Sequence, residues 1–278
     1  MKVIADYLKN SQNLLPNSDS ARLDVELLLC HTLGVERSYL LAYPENALSL
    51  DQRKNLEQWI TQRQAGYPMA YLLQKRDFWN LTLKVNESTL IPRPETELLV
   101  ELALEKIKAI KNPSILDLGT GSGAIALAIA EERSDAWIIA VDRQQAAIQV
   151  AMENARRYQF NNISYIVSHW CDAIVGKFDV IVSNPPYIKL TDPHLQQGDV
   201  RFEPHTALIA AQQGFSDLKI IIKQSYSRLN AGGLLAVEHG CEQAAIIREY
   251  FAYQGYQKIE TQFDLAGLER VTLGYFHE

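Results

Sequence analysis

Residues 115–130 read "ILDLGTGSGAIALAIA". A short, mostly apolar run meets three glycines at alternate positions, and an alanine- and isoleucine-rich stretch of helical character follows without a break. Apolar runs this short, bounded by glycine, suit strands buried on both faces, and the helix entered at once makes a strand–loop–helix unit. The texture recurs in "WIIAVD" (137–142), "ISYIVS" (163–168), "FDVIVS" (178–183) and "GLLAVEHG" (233–240), with helical stretches between most of them. That succession predicts a parallel α/β sheet. "YQKIETQF" (256–263) and "RVTLGYF" (270–276) have no helix between them, so at least one of the two runs antiparallel to its neighbour.

Toward the N-terminus the texture changes. In "SARLDVELLLCHTLG" (20–34), Leu23, Leu27 and Cys30 recur at helical spacing with Leu28 alongside; Ser18 and Ser20 are candidate caps, and Gly34 stands where a helix-ending glycine belongs. "LDQRKNLEQWITQRQAG" (50–66) repeats the design with Leu56, Trp59 and Ile60, ending at Gly66. Residues 1–70 therefore read as a small helical domain. Leu81, Leu83 and Val85 alternate with Thr82 and Lys84, which predicts a half-buried strand, as in a hairpin, within a connector over 71–92. The larger domain then spans 93–278. It opens on a helix with Pro94 in the first position and Glu95 and Glu97 in the first turn, where the helix dipole favours negative charge.

The chain has 278 residues, 47% hydrophobic and 22% charged, with a net charge of −6 and a pI of about 5.6. Its overall field does not attract nucleic acid or anionic membranes, and in residues 1–80 the basic and acidic residues are evenly mixed. Cys30, Cys171 and Cys241 are far apart and odd in number, which argues against a disulfide framework, and the six histidines are dispersed, which argues against a metal site. The opening "MKVIADYLKNSQNLL" carries Asp6 and too short an apolar stretch for a secretory signal, and no run of about 20 apolar residues exists to span a membrane. A cytoplasmic protein is expected.

Gly119, Gly121 and Gly123 allow the backbone to turn tightly beside a helix N-terminus, where a ligand can approach closely. Asp142 stands 23 residues after Gly119 at the end of the next strand, near the ~20 expected of an acid gripping a ribose. Both features are shared by NAD enzymes and by methyltransferases with a nucleoside cofactor. Asp117 favours the second: a carboxylate just before the first glycine repels a pyrophosphate and suits an ammonium. S-adenosylmethionine carries an amino acid and a sulfonium, with no phosphate.

"NPPY" (184–187) closes the fourth apolar run, at a strand end where α/β proteins bind ligands. Pro185 and Pro186 have fixed φ and no N–H, so the carbonyls here are not consumed by a helix, and Asn184 adds a side-chain carbonyl. Fixed acceptors side by side suit a planar NH₂ group, either a glutamine amide or the exocyclic amine of a nucleobase. Such nitrogens are poor nucleophiles; acceptors that strengthen as positive charge develops, together with orientation, supply the catalysis. Tyr187 would cover the planar group by stacking. No general base is required, and none is evident nearby.

With these residues in place the chain resembles the release-factor glutamine methyltransferases of the HemK/PrmC type. The resemblance covers essentially the whole length, through "FWNLTLKVNESTLIPRPETE", "ILDLGTGSGAIALAIA", "AVDRQQAAIQVAMENA", "SNPPYI", "RFEPHTAL" and "ERVTLGYF". It implies a class I, Rossmann-like S-adenosylmethionine-dependent methyltransferase domain with a seven-stranded mixed sheet, a small all-α N-terminal domain for substrate recognition, and a β-hairpin linker. It implies methylation of the side-chain amide nitrogen of the glutamine in the Gly-Gly-Gln motif of bacterial peptide chain release factors, with S-adenosylhomocysteine as product and no metal. By the same resemblance Asp117, Leu118, Gly119, Thr120 and Gly121 line the methionine and ribose side of the cofactor. Asp142 holds the ribose hydroxyls and Trp170 flanks the adenine. Asn184 touches cofactor and substrate, Pro185, Pro186 and Tyr187 hold the glutamine, and Arg93 lies near the mouth of the site. The family often has an acid before that tryptophan; here His169 takes the place. Cys171 has no His/Asp arrangement and reads as a packing residue. Glu203 and Pro204 have no assignment beyond shaping a loop. The remaining alternatives are an amino-methyltransferase acting on DNA, rRNA or a ribosomal-protein glutamine, a non-catalytic ribosome- or release-factor-binding module, and an NAD oxidoreductase, which has no use for "NPPY".

Overall fold

The computed structural model describes residues 2–277. It divides into two units: residues 1–74 with 196–202, and residues 75–195 with 203–278.

The smaller unit is helical. Its main helices are Ala21–Leu33 and Leu50–Gln64. The second begins in a capping box, with the Ser49 hydroxyl accepting from Gln52 N and the Gln52 side chain accepting from Ser49 N. Gly34 ends the first at φ 67°, a left-handed value that glycine adopts without steric cost. The buried face of Ala21–Leu33 is formed by Ala21, Val25, Leu28 and Leu29, whereas Leu23 is 41% exposed. Of the stripe expected from Leu23, Leu27 and Cys30 with Leu28 alongside, Leu28 is buried and Cys30 packs against this core, while Leu23 faces outward. Leucines occupy so much of this helix that more than one stripe satisfies helical spacing, and packing against Leu56 and Ile60 selects among them. Ser20 occupies the cap position but makes no capping bond; its hydroxyl donates to Asp24 instead. The returning segment 196–202 belongs to this unit through Arg201, which donates to the Ala65 carbonyl at 3.0 Å, and through Phe202, whose ring meets Tyr67 edge-on at 5.4 Å.

The larger unit opens with the hairpin β1 (Lys75–Phe78) and β2 (Leu81–Lys84). Rather than standing free as a connector, the hairpin is built into this unit. Phe78, Leu81 and Leu83 enter its core, and the Asn154 side chain closes two hydrogen bonds on Lys84, one with N and one with O. The main sheet comprises β3 (Ser114–Leu118), β4 (Trp137–Asp142), β5 (Ile163–Val167), β6 (Phe178–Ser183), β7 (Leu229–Glu238), β8 (Gln257–Phe263) and β9 (Glu269–Tyr275). Its order is β5-β4-β3-β6-β7-β9-β8, parallel except that β9 is antiparallel to both neighbours. Helices cover both faces, and a separate apolar core fills each interface. The helix expected to start at Pro94 begins later: Pro94–Thr96 is a single 3₁₀ turn, and the α-helix runs Glu97–Ile107. Among the described residues no helix is long and apolar enough to cross a membrane.

Candidate active site

The registers Leu118↔Val141, Leu118↔Ser183 and Ser183↔Val237 place the carboxyl ends of β3, β4, β6 and β7 level with one another. A cleft opens there, and Gly119, Thr120, Gly121, Asp142, Trp170, Asn184 and Pro186 all line it.

The glycine loop is held down from β4: Gly119 and Thr120 both donate to the Val141 carbonyl, at 2.8 and 2.9 Å. Gly119 needs its lack of a side chain twice over. Its φ is 78°, and a Cβ would lie 3.3 Å from the Trp170 ring. Asp142 accepts from Gly121 N at 3.0 Å and Gln144 N at 2.8 Å, which fixes the carboxylate in the cleft wall while burial raises its pKa. Trp170 is buried, with its indole N–H donating to Asp217 at 3.2 Å.

Asp117 has no exposed surface. One carboxyl oxygen accepts from the Thr120 hydroxyl at 2.6 Å, while the other has no hydrogen-bond partner of ordinary geometry. Burial pushes its pKa up to about 7, against the opposing pull of Thr120 and of the Ala126 N–H, and with a further push from Asp142. A buried, half-satisfied carboxyl costs free energy until something cationic or donating reaches it. Leu118, expected beside the ligand, is wholly buried and supports the loop from beneath, its carbonyl taken by the Ser183 hydroxyl at 2.7 Å.

At the β6 end, no hydrogen bond among the described residues takes up the carbonyls of Asn184, Pro185 or Pro186. The Asn184 NH₂ donates to the Thr96 hydroxyl at 2.9 Å, and that hydroxyl donates to Glu238 at 2.7 Å. Tyr187 does not line the cleft. Its phenol donates to the other oxygen of Glu238 at 3.2 Å, and its carbonyl accepts from Gln243 at 3.1 Å. Glu238 is buried at the end of β7, and burial pushes its pKa up to about 7 despite the Thr96 hydroxyl and Arg270. Thr96 and Glu238 were not singled out from the sequence. An isolated acid closing a strand was the available signal; only the fold brings it beside "NPPY", where it is bound by Thr96 and Tyr187 and stays out of the cleft lining.

Arg93 also stays out of the cleft lining. It is ion-paired with Glu203, whose other oxygen accepts from Ile91 N at 3.1 Å. The carboxylate of "FEP" thus clamps the "IPRP" segment, a role the sequence left open. Arg143 donates to the Thr206 carbonyl at 2.8 Å; both residues belong to the cleft wall. His169 lies in the cleft wall near Asp172, at 3.6 Å. Cys171 is buried, and desolvation pushes its thiol up to about 11, as befits packing rather than nucleophilic attack. Among the described residues no group of three or more His, Cys, Asp or Glu side chains is placed to share a metal ion.

A mixed seven-stranded sheet, with a glycine loop and an acid at adjacent strand ends, defines a Rossmann-like methyltransferase. The family model described as "Methyltransferase domain" matches residues 110–267, and that of the "PrmC N-terminal domain" matches residues 6–73. The fold is shared with a crystal structure of a methyltransferase from Pyrococcus furiosus, at a TM-score of 0.52 and 17% identity over 70% of this chain and 89% of that one. The chain is 48% identical to the release factor glutamine methyltransferase of Escherichia coli (strain K12), over 98% of each protein. It is 49% identical to that of Aliivibrio fischeri, over 94% of this chain and 92% of the relative. The chain belongs to the release factor glutamine methyltransferase family.

Proposed function

We propose that this protein methylates the side-chain amide nitrogen of the Gly-Gly-Gln glutamine of peptide chain release factors in the cytoplasm, with S-adenosylmethionine as donor. The observation that carries the reading is the pairing of two features at neighbouring strand ends: free acceptors at "NPPY" and, buried behind the glycine loop rather than in the cleft lining, a carboxyl with an orphaned oxygen. The orphaned oxygen of Asp117 fits a group with an ammonium and would not suit a pyrophosphate. Asp142 would take the ribose hydroxyls, and Trp170 with the Gly119 backbone would bound the adenine side. The cofactor supplies an electrophilic methyl on a sulfonium and leaves as S-adenosylhomocysteine.

The protein's own contribution is orientation and electrostatics. The Asn184 side-chain carbonyl and the carbonyls that follow it would accept both N–H groups of the glutamine amide. These acceptors attract more strongly as the nitrogen gains positive charge, and they hold its lone pair toward the methyl. The surplus proton leaves the nitrogen for solvent once the new C–N bond has formed. The helical N-terminal unit would recognise the release factor. Modified termination efficiency would follow from the methylated glutamine.

Mass spectrometry of a release factor incubated with the protein and S-adenosylmethionine tests this. One added methyl on the Gly-Gly-Gln glutamine is expected, with none on DNA, rRNA or ribosomal proteins offered in parallel. Methylation of those substrates instead of the release factor would overturn the assignment.

A further inference from the structure

We propose that Glu238 is a positioning residue which, through the Thr96 hydroxyl, dictates which end of the Asn184 amide faces the substrate. The proposal rests on the glutamine-methylating reading above and adds a control element to that site.

The argument is one of hydrogen-bond polarity. A carboxylate can only accept, and a threonine hydroxyl has a single proton. Glu238 takes that proton at 2.7 Å, so Thr96 Oγ1 can only accept from Asn184, at 2.9 Å. The Asn184 NH₂ is thereby consumed, and its carbonyl oxygen is left as the free end of an amide that lines the cleft. This follows from the donor inventory and does not depend on how the amide's oxygen and nitrogen are assigned. The direction matters because an NH₂ facing another NH₂ would repel the substrate. Tyr187 donates to the second oxygen of Glu238, so the same carboxylate anchors both ends of "NPPY".

The anchor is itself titratable. A proton on Glu238 would let the carboxyl donate to Thr96, which could then donate to the Asn184 carbonyl and reverse the row. The charged groups acting on Glu238 are Arg270, which favours the ionised form, and Glu95, which opposes it. The ring nitrogens of the adjacent His239 are engaged by Thr272 and the Gly240 carbonyl. Burial sets the balance near neutrality, with the pKa at about 7. Turnover is therefore expected to rise with pH through that region as the polarity locks.

The test uses full-length wild type, Thr96→Val and Thr96→Ser, with release factor and S-adenosylmethionine. Thr96→Val removes the relay at nearly constant volume. It should lower kcat about 10-fold, the scale of one orienting hydrogen bond, with cofactor Kd unchanged within about 2-fold. Thr96→Ser, which keeps the hydroxyl, should recover most of the loss. The Asn184 side-chain ¹H–¹⁵N resonances, identified by their absence in Asn184→Ala, should shift with pH in wild type and not in Thr96→Val. A wild-type kcat in Thr96→Val, no recovery in Thr96→Ser, or resonances indifferent to pH would overturn the proposal. The resonance titration needs no substrate. If wild type left the glutamine unmethylated while the resonances still titrated through Thr96, the functional reading would fail and the polarity relay would stand.

Discussion

Replacing Asp117 by Asn should change how stability depends on pH. The folded-state pKa is about 7 against an ordinary 3.8, so the fold favours the protonated carboxyl by up to about 4 kcal/mol. The sign follows from linkage. A group whose pKa is raised on folding contributes stability that is complete below its unfolded pKa and is lost as pH rises through the folded value. Between pH 5 and pH 8 the loss attributable to Asp117 is about 2.5 kcal/mol. Asparagine keeps an acceptor for the Thr120 hydroxyl and does not ionise. Urea unfolding of wild type and Asp117→Asn at both pH values isolates the effect, because Glu238 titrates in both proteins and cancels. Wild type should lose about 2.5 kcal/mol more than the variant on going from pH 5 to pH 8. Parallel pH dependences would refute the claim that burial, without a partner for Oδ1, sets the ionisation of this carboxyl. The same reasoning makes cofactor binding at pH 6 expel a proton, since a nearby ammonium favours the ionised form. Calorimetry in two buffers of different ionisation enthalpy should show that release in wild type and not in the variant.

Asn184→Ala should lower turnover by roughly 10²–10³-fold, as expected when one preorganised partner of a developing charge is removed, while thermal unfolding stays near wild type; near-normal methyl transfer would contradict the mechanism. Arg93→Ala leaves the buried Glu203 carboxylate without its partner and should cost about 3 kcal/mol in urea unfolding, with Arg93→Ala/Glu203→Gln recovering part of it. Gly119→Ala forces a side chain into a left-handed backbone position against Trp170 and should weaken S-adenosylmethionine binding at least about 10-fold, the scale of 1–3 kcal/mol of local strain; titration calorimetry reads it directly. Deletion of residues 1–75 should preserve cofactor binding and impair methylation of intact release factor, and equal activity of the truncated and full-length enzymes would remove substrate recognition from the helical unit.

The sheet, the glycine loop and "NPPY" were legible because each is a short-range pattern: an apolar run, then residues whose backbone properties announce a loop. Asp142 was singled out by its offset along the same pattern, and Trp170 by family likeness alone. The acid row was not legible. Thr96 and Glu238 are 142 positions apart, and each is a single polar residue in unremarkable surroundings, so only the level ends of β6 and β7 bring them together. The Glu203 clamp escaped for the same reason, its partners lying more than 100 positions upstream. Helix faces were only partly legible where the sequence was too rich in leucine for periodicity to discriminate, as in Ala21–Leu33. β7 begins at Leu229, earlier than its apolar run, because Asn230–Gly233 pass through a register irregularity against β6 that alternation does not signal.

The membership of residues 196–202 in the helical unit bears on how such enzymes diversify. Exchanging residues 1–74 between homologues by a single crossover would separate Arg201 from the Ala65 carbonyl and Phe202 from Tyr67. The helical unit is thus encoded in two stretches, the second lying between "NPPY" and Glu203 in the middle of the larger unit's own coding sequence. A productive chimera must carry both. Changes in the helical unit are expected to appear as paired changes at these two loci, so that a shift in one lineage's residues 1–74 is answered by a shift in the seven residues far downstream.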